Sequence, residues 1–159
     1  MPKSKDDLIQ ASEQVLYEYK MMNWTAKELF KATPKEGYLH NAILESFAIH
    51  VRNLIEFLFS NELRYKDDIL AMHFFEDNSE WSKIRPKQTL ILKNALKQAN
   101  KLVAHLTYSR IRFSYDERMW RFVNIVDEIN DVFENYFAKN VFKEKLHPEW
   151  LNEFKQHSN

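Results

Sequence analysis

The stretch Ala42-Ile43-Leu44-Glu45-Ser46-Phe47-Ala48-Ile49-His50-Val51-Arg52-Asn53-Leu54-Ile55-Glu56-Phe57-Leu58-Phe59 is the densest apolar run in the chain, and its reading decides the fold class. Leu39, Ile43, Phe47, Leu54, Phe57 and Leu58 fall on one helical face, and Leu44, Ala48, Val51, Ile55 and Phe59 on a second. An element apolar around most of its circumference belongs at the centre of a helical bundle. Glu45, His50, Arg52, Asn53 and Glu56 interrupt the run, whereas a membrane-spanning helix needs about 20 predominantly apolar residues. The stretch therefore reads as a buried core helix from about Leu39 to Leu63.

Working outward, Leu8, Ala11, Val15, Tyr19, Met22, Ala26, Leu29 and Phe30 recur at steps of three and four, which predicts one long helix before it. Thr25 and Glu28 have capping-box spacing, but the stripe passes them without a phase shift, so a single helix is expected. Thr33-Pro34-Lys35-Glu36-Gly37 should end it, Pro34 by blocking continuation and Gly37 by taking positive φ cheaply. After the central helix, Ile69 to Phe75 predicts a short helix with Asp67 and Asp68 in its first turn, Asp68 as N-cap. Glu76 to Arg85 reads as a polar loop holding Trp81, the one tryptophan placed to meet a ligand. Pro86 suits the first turn of the next helix, whose stripe is Leu92, Ala95, Leu96, Ala99, Leu102, Val103 and Leu106. Ser114 with Glu117 predicts a capping box, opening a helix carried by Trp120, Val123, Val126, Ile129, Phe133 and Phe137. His147-Pro148 resets the chain before a last short helix. The expectation is an all-α fold, an up-and-down bundle of four main helices plus two short ones, in a single domain over residues 1–159.

Composition narrows the chemistry. With 23 Lys and Arg against 23 Asp and Glu, the formal net charge is +0, which argues against a broad basic field but leaves room for a local basic cleft. No cysteine excludes disulfides, thiolate metal sites and cysteine nucleophiles. A single glycine excludes Gly-rich phosphate loops. The charged Met1 to Asp7 stretch shows no secretory leader, so no membrane association and a cytoplasmic location are expected.

Two constellations stand out. On the central helix, Ser46, His50 and Asn53 line up at steps of four and three, while Arg52 projects elsewhere. The plain account of His50 is a core histidine bonded to a neighbouring helix; the functional one is the wall of an internal cleft, since a polar strip must be satisfied. The second is Asn100-Lys101-Leu102-Val103-Ala104-His105 followed by Tyr108, Arg110 and Arg112. An imidazole at a helix end suits acid–base work, and a nearby guanidinium suits a phosphate. The plain account there is a His and Arg pair compensating the helix dipole. Asp68 and His73 are five apart and Glu144-Lys145-Leu146-His147 stands alone, so no metal site and no cofactor is expected.

The segments Ala48 to Phe59, Asp67-Asp68, Phe74-Phe75, Asn100-Lys101 and Ala104 to Arg110 resemble a group of bacterial all-helical proteins without an assigned activity, over residues 42 to 112. More broadly the chain resembles the HEPN domains, helical bundles that dimerise and in many cases cleave RNA without a metal in toxin–antitoxin and phage-defence systems. Their pattern is an Arg with four to six residues between it and a His. Here the frame ending at His105 has Asn100 where that Arg stands, unless Arg110 or Arg52 takes its place. The resemblance implies RNA or a nucleotide as ligand, a homodimer, and, if there is turnover, metal-independent cleavage. His105, Arg110 and His50 are the expected catalytic residues, and Asn100, Lys101, Tyr108, Arg52 and Asn53 the expected binding residues. The other expectation is a non-catalytic bundle that binds a protein partner or oligomerises.

Overall fold

The computed structural model describes residues 3–31 and 37–156. All regular elements among the described residues are helical and none is a strand. None of these helices is long and apolar enough to cross a membrane.

Helix α1 (Lys5–Lys31) is unbroken, as its stripe predicts. Its start is a reciprocal cap: the Ser4 hydroxyl accepts from the Asp7 N–H (3.1 Å) and the Asp7 carboxylate accepts from the Ser4 N–H (3.1 Å). The Ser4 hydroxyl also donates to the Asp7 carboxylate (2.7 Å), and that bond, then the one from the Ser4 N–H, holds the Asp7 carboxyl below its ordinary pKa. Thr25 opens no second helix, because its hydroxyl donates back to the Met21 carbonyl (2.7 Å). Residues 32–36, Pro34 among them, lie outside the described residues. Gly37 does take positive φ (101°) and leads into α2 (Tyr38–Phe59), which stops short of the expected Leu63.

Five local expectations need correction. Asp68 caps nothing downstream; its carboxylate accepts from the Arg64 and Tyr65 N–H groups (2.7 and 2.8 Å), closing the turn before it. The short element that follows is a 3-10 turn, Ala71–Phe74, where His73 Nδ1 accepts from the Leu70 N–H (3.2 Å). The stretch expected as a loop contains α3 (Asn78–Ile84), capped by Asp77, whose carboxylate accepts from the Ser79 N–H (2.8 Å). Trp81 on α3 is 1% exposed and meets no solvent-borne ligand. Pro86 lies in a connection, and Thr89 caps α4 (Leu90–Gln98) by accepting from the Leu92 N–H (3.3 Å).

Helix α4 runs into π-helical turns at Ala99–Ala104, followed by a 3-10 turn at Tyr108–Arg112. The Ser114–Glu117 capping box forms, but α5 (Tyr115–Arg118) is one turn long. The main helix after it begins afresh as α6 (Phe122–Asp131), continues through π-helical turns at Val132–Phe137, and ends with α7 (Ala138–Asn140). Beyond a 3-10 turn at Lys143–Lys145, α8 (Pro148–Gln156) starts where His147-Pro148 predicts.

The chain divides into two compact units. The first takes Met1–Tyr17, Glu56–Lys87 and Asn130–Asn159. Its core is aromatic: Phe57 stacks on Phe133 (6.0 Å), Trp81 on Phe75 (5.4 Å) and Trp150 on Phe133 (5.5 Å). Trp81 Nε1 donates to the Leu58 carbonyl (2.7 Å) and Trp150 Nε1 to the Ser12 carbonyl (2.8 Å), so both indoles are buried with their donors satisfied. The second unit takes Glu18–Ile55 and Gln88–Ile129. Met22, Leu29, Val51, Leu92, Ala95 and Ile129 are buried in it, and Phe47 meets Trp120 and Phe122 edge to face (6.0 and 6.4 Å). Every residue expected at the functional site belongs to this second unit.

Candidate functional site

On α2, His50 is buried and turned to α1: its Nδ1 lies 2.7 Å from Glu18 Oε2. Asn53, one turn along, donates its amide to the same oxygen (3.1 Å). One carboxylate thus satisfies two polar side chains of the strip, as burial of polar groups on an apolar helix demands. Glu18 was not among the residues singled out from the sequence. Its signal was there, because position 18 continues the spacing of Ala11, Val15 and Met22, and a charge in the register of an apolar stripe needs a partner.

Arg52 points a different way. Its Nε donates to Asn100 Oδ1 on the π-helical extension of α4 (2.8 Å), with both side chains half-buried. A guanidinium from α2 is therefore held against the Asn100 side chain.

Arg110 folds back onto the end of that helix. Its Nε donates to the His105 carbonyl (3.0 Å) and an Nη to the Val103 carbonyl (3.1 Å), groups that the helix terminus leaves without intrahelical partners. Arg118 repeats the device, donating to the Arg110 and Phe113 carbonyls (2.7 and 3.1 Å). Both guanidinia brace the backbone of the segment that displays His105. The His105 imidazole is exposed and makes no hydrogen bond among the described residues, and Lys101 is exposed as well.

Two features of this segment escaped the sequence reading. The first is bare apolar surface: Leu106 is 91% exposed, Tyr108 85%, Ile111 76% and Tyr115 80%. The second is charge. From Gln88 to Tyr115 the chain contains no Asp or Glu, yet carries Lys93, Lys97, Lys101, Arg110 and Arg112. The three lysines are all exposed and four residues apart, so they climb one side of the helix about 6 Å per step. In a regular α-helix a step of four overshoots a full turn by about 40°. The wider π turns from Ala99 cancel that overshoot over the second step, so Lys101 stays close to the line of Lys97 and the three lysines share one side as a ridge. Lys97 lies over the Phe113 ring (5.1 Å) and 3.8 Å from Glu117 Oε1. Glu117 is held below its ordinary pKa by the Ser114 backbone N–H and then the Ser114 hydroxyl.

Among the described residues no group of three or more His, Asp or Glu side chains could hold a metal ion. Comparison with family models, with curated proteins and with solved structures finds no match to this chain.

Proposed function

We propose that the chain is a HEPN-like helical protein that binds single-stranded RNA through the surface from Lys93 to Tyr115. The observation that carries this reading is the coincidence, on one segment, of an acid-free basic run with bare Tyr108 and Tyr115 side chains. Proteins that hold single strands pair a cationic track for the phosphates with aromatic faces on which bases stack. The reading carries with it an up-and-down packing of the four main helices, a homodimer, and a cytoplasmic setting in which expression of the chain slows growth.

A second reading, metal-independent cleavage, is favoured by the Arg52–Asn100 contact. In it His105 is the acid or base and Arg52, rather than the carbonyl-bound Arg110, faces the phosphate.

Fluorescence anisotropy with a labelled single strand tests the first reading. Stacking is worth about 1–3 kcal/mol per base, so Tyr108→Ala and Tyr115→Ala should each weaken binding roughly tenfold. Gel analysis of the same mixtures tests the second: His105→Ala should retain binding and lose cleavage. A folded protein with no RNA affinity that self-associates or captures a protein through Leu106 and Ile111 would replace both readings with the non-catalytic one.

A further inference from the structure

Within the second unit a cavity of about 390 Å³ is bounded by α4, the 113–121 segment and α6, with room for one large side chain. Leu90, Ile91 and Ile125 supply apolar wall. Its charges cancel: the cations Lys97 and Arg121 and the carboxylates of Asp116 and Glu117 all line it, and Lys97 lies 3.8 Å from Glu117. Apolar walls under a rim of zero net charge suit an uncharged group. Gln98 is the one buried polar side chain, at 8% exposure. Its amide nitrogen donates to the carbonyls of Glu117 (2.6 Å) and Met119 (3.1 Å), which commits both protons and fixes which way the amide faces. The oxygen makes no hydrogen bond among the described residues. Among uncharged side chains only the indole of tryptophan joins a large apolar face to a donor with no acceptor. A phenol, an amide or a nucleobase would carry acceptor atoms against the apolar wall without partners.

The chain itself carries such a group. Trp81 and Trp150 are buried and Trp120 is half-buried, but Trp24 on α1 is 53% exposed, and its N–H makes no hydrogen bond among the described residues. Lys20, Lys27 and Glu28 lie within about one turn of Trp24, so both signs of charge flank it. At the cavity, Asp116 and Arg121 are exposed and in no ion pair among the described residues. We infer that a second copy of the chain docks its α1 here, the Trp24 indole seated among Leu90, Ile91 and Ile125 with its N–H donating to Gln98 Oε1. Lys27 then has Asp116 to face, and Glu28 has Arg121. A donor and an acceptor that each lack a protein partner in the single chain are met together, and a ring of about 150–250 Å² leaves water. Made in both directions, the contact closes a symmetric pair. It gives the homodimer of the reading above an interface but lies outside the segment assigned to RNA, and it needs no RNA to form.

Sedimentation equilibrium over a micromolar concentration series, without RNA, tests this. The wild-type mass should rise above that of one chain. Trp24→Ala, at an exposed position, should weaken association about thirtyfold, the loss expected of a buried aromatic anchor. Trp24→Phe keeps a ring without the donor and should fall between the two. Asn94→Trp, at an exposed α4 position lining the cavity, fills it from the rim and should weaken association as Trp24→Ala does. Mixing the Trp24→Ala and Asn94→Trp chains sets one intact tryptophan against one intact cavity, so the mixture should associate at least about fivefold more tightly than either alone. A wild type that stays a single chain throughout overturns the inference, as does a Trp24→Ala chain that associates like wild type. A mixture no tighter than its components overturns the pairing of Trp24 with the cavity, and a Trp24→Phe chain equal to wild type overturns the bond to Gln98. RNA anisotropy with the Trp24→Ala chain reads the RNA surface separately, so either reading can fail without the other.

Discussion

Replacing the ridge lysines tests the RNA reading through a number rather than a yes or no. Each phosphate neutralised on a single strand contributes about 0.7 to the slope of log affinity against log salt. Of the five cations between Gln88 and Tyr115, Arg110 is bound to the Val103 and His105 carbonyls, which leaves Lys93, Lys97, Lys101 and Arg112. Four contacts give a slope of about −2.8, so affinity should fall roughly fiftyfold between about 50 and 200 mM salt. With Lys93→Gln, Lys97→Gln and Lys101→Gln combined, only Arg112 remains, and the same step should cost about threefold. Glutamine preserves helix propensity, and all three positions are exposed, so the fold should survive, as circular dichroism will show. Glu117 already offsets part of the Lys97 charge, so single substitutions should rank Lys93 and Lys101 above Lys97. The control exchanges Lys5, Lys27 and Lys139, also exposed, for glutamine at the same cost in net charge. Equal slopes for ridge and control variants would refute the reasoning, because the effect would then belong to total charge and not to a track.

Three further outcomes bear on stability. Trp81→Ala should destabilise by about 3–5 kcal/mol in denaturant titration, since it empties a buried site stacked on Phe75 and frees the Leu58 carbonyl of its indole donor; a loss under about 1 kcal/mol would return residues 78–84 to the status of a loop. Glu18→Ala should cost about 1–3 kcal/mol by leaving buried His50 and half-buried Asn53 without their shared acceptor, and a double-mutant cycle with His50→Ala should return a coupling of about 1 kcal/mol. Burial, and then the Lys3 charge, holds the His73 imidazole below its ordinary pKa of 6.5, so the unfolded chain binds the extra proton. Its contribution is therefore complete above pH 6.5 and is lost as pH falls through that value toward the folded pKa, and His73→Asn should flatten this part of the Tm profile measured by calorimetry.

The helical fold class was legible because the deciding signal is periodic and long. The α1 stripe and the double-faced α2 each repeat over many turns, and no local feature competes with them. Boundaries were harder where one residue type supports two readings. Asp68 is as suited to ending a turn as to starting a helix, and only the Arg64 and Tyr65 N–H groups decide between them. The α3 miss had a readable warning: Asp77 followed three residues later by Glu80 is a helix start, and Trp81 behind it supplies the apolar anchor. At the site, the polar strip on α2 was visible by spacing and Glu18 by its place in the α1 stripe, while their pairing across 32 residues was not. The acid-free run was hidden by a sum. A chain with 23 charges of each sign looks uniform until the charges are placed in order.

That order also separates two kinds of cation. Arg110 and Arg118 point planar forks at four backbone carbonyls of the 103–113 segment, a task that suits a guanidinium because it meets two acceptors in fixed geometry. Lys93 and Lys101 have compact charges on flexible stems and stand exposed, a form suited to following a mobile phosphate chain but poor at bracing a backbone. An arginine placed by sequence beside a histidine therefore reads as an anion holder until its acceptors are known. The braced segment is then what keeps Leu106, Tyr108, Ile111 and Tyr115 in the open, since a loop free to collapse would bury them against the nearest apolar surface. Releasing the brace separates these roles: Arg110→Lys keeps the charge but cannot reproduce the fork. It should therefore lower RNA affinity through the tyrosines while leaving the salt slope as in wild type, whereas an Arg110 that held phosphate directly would show little loss on the same exchange.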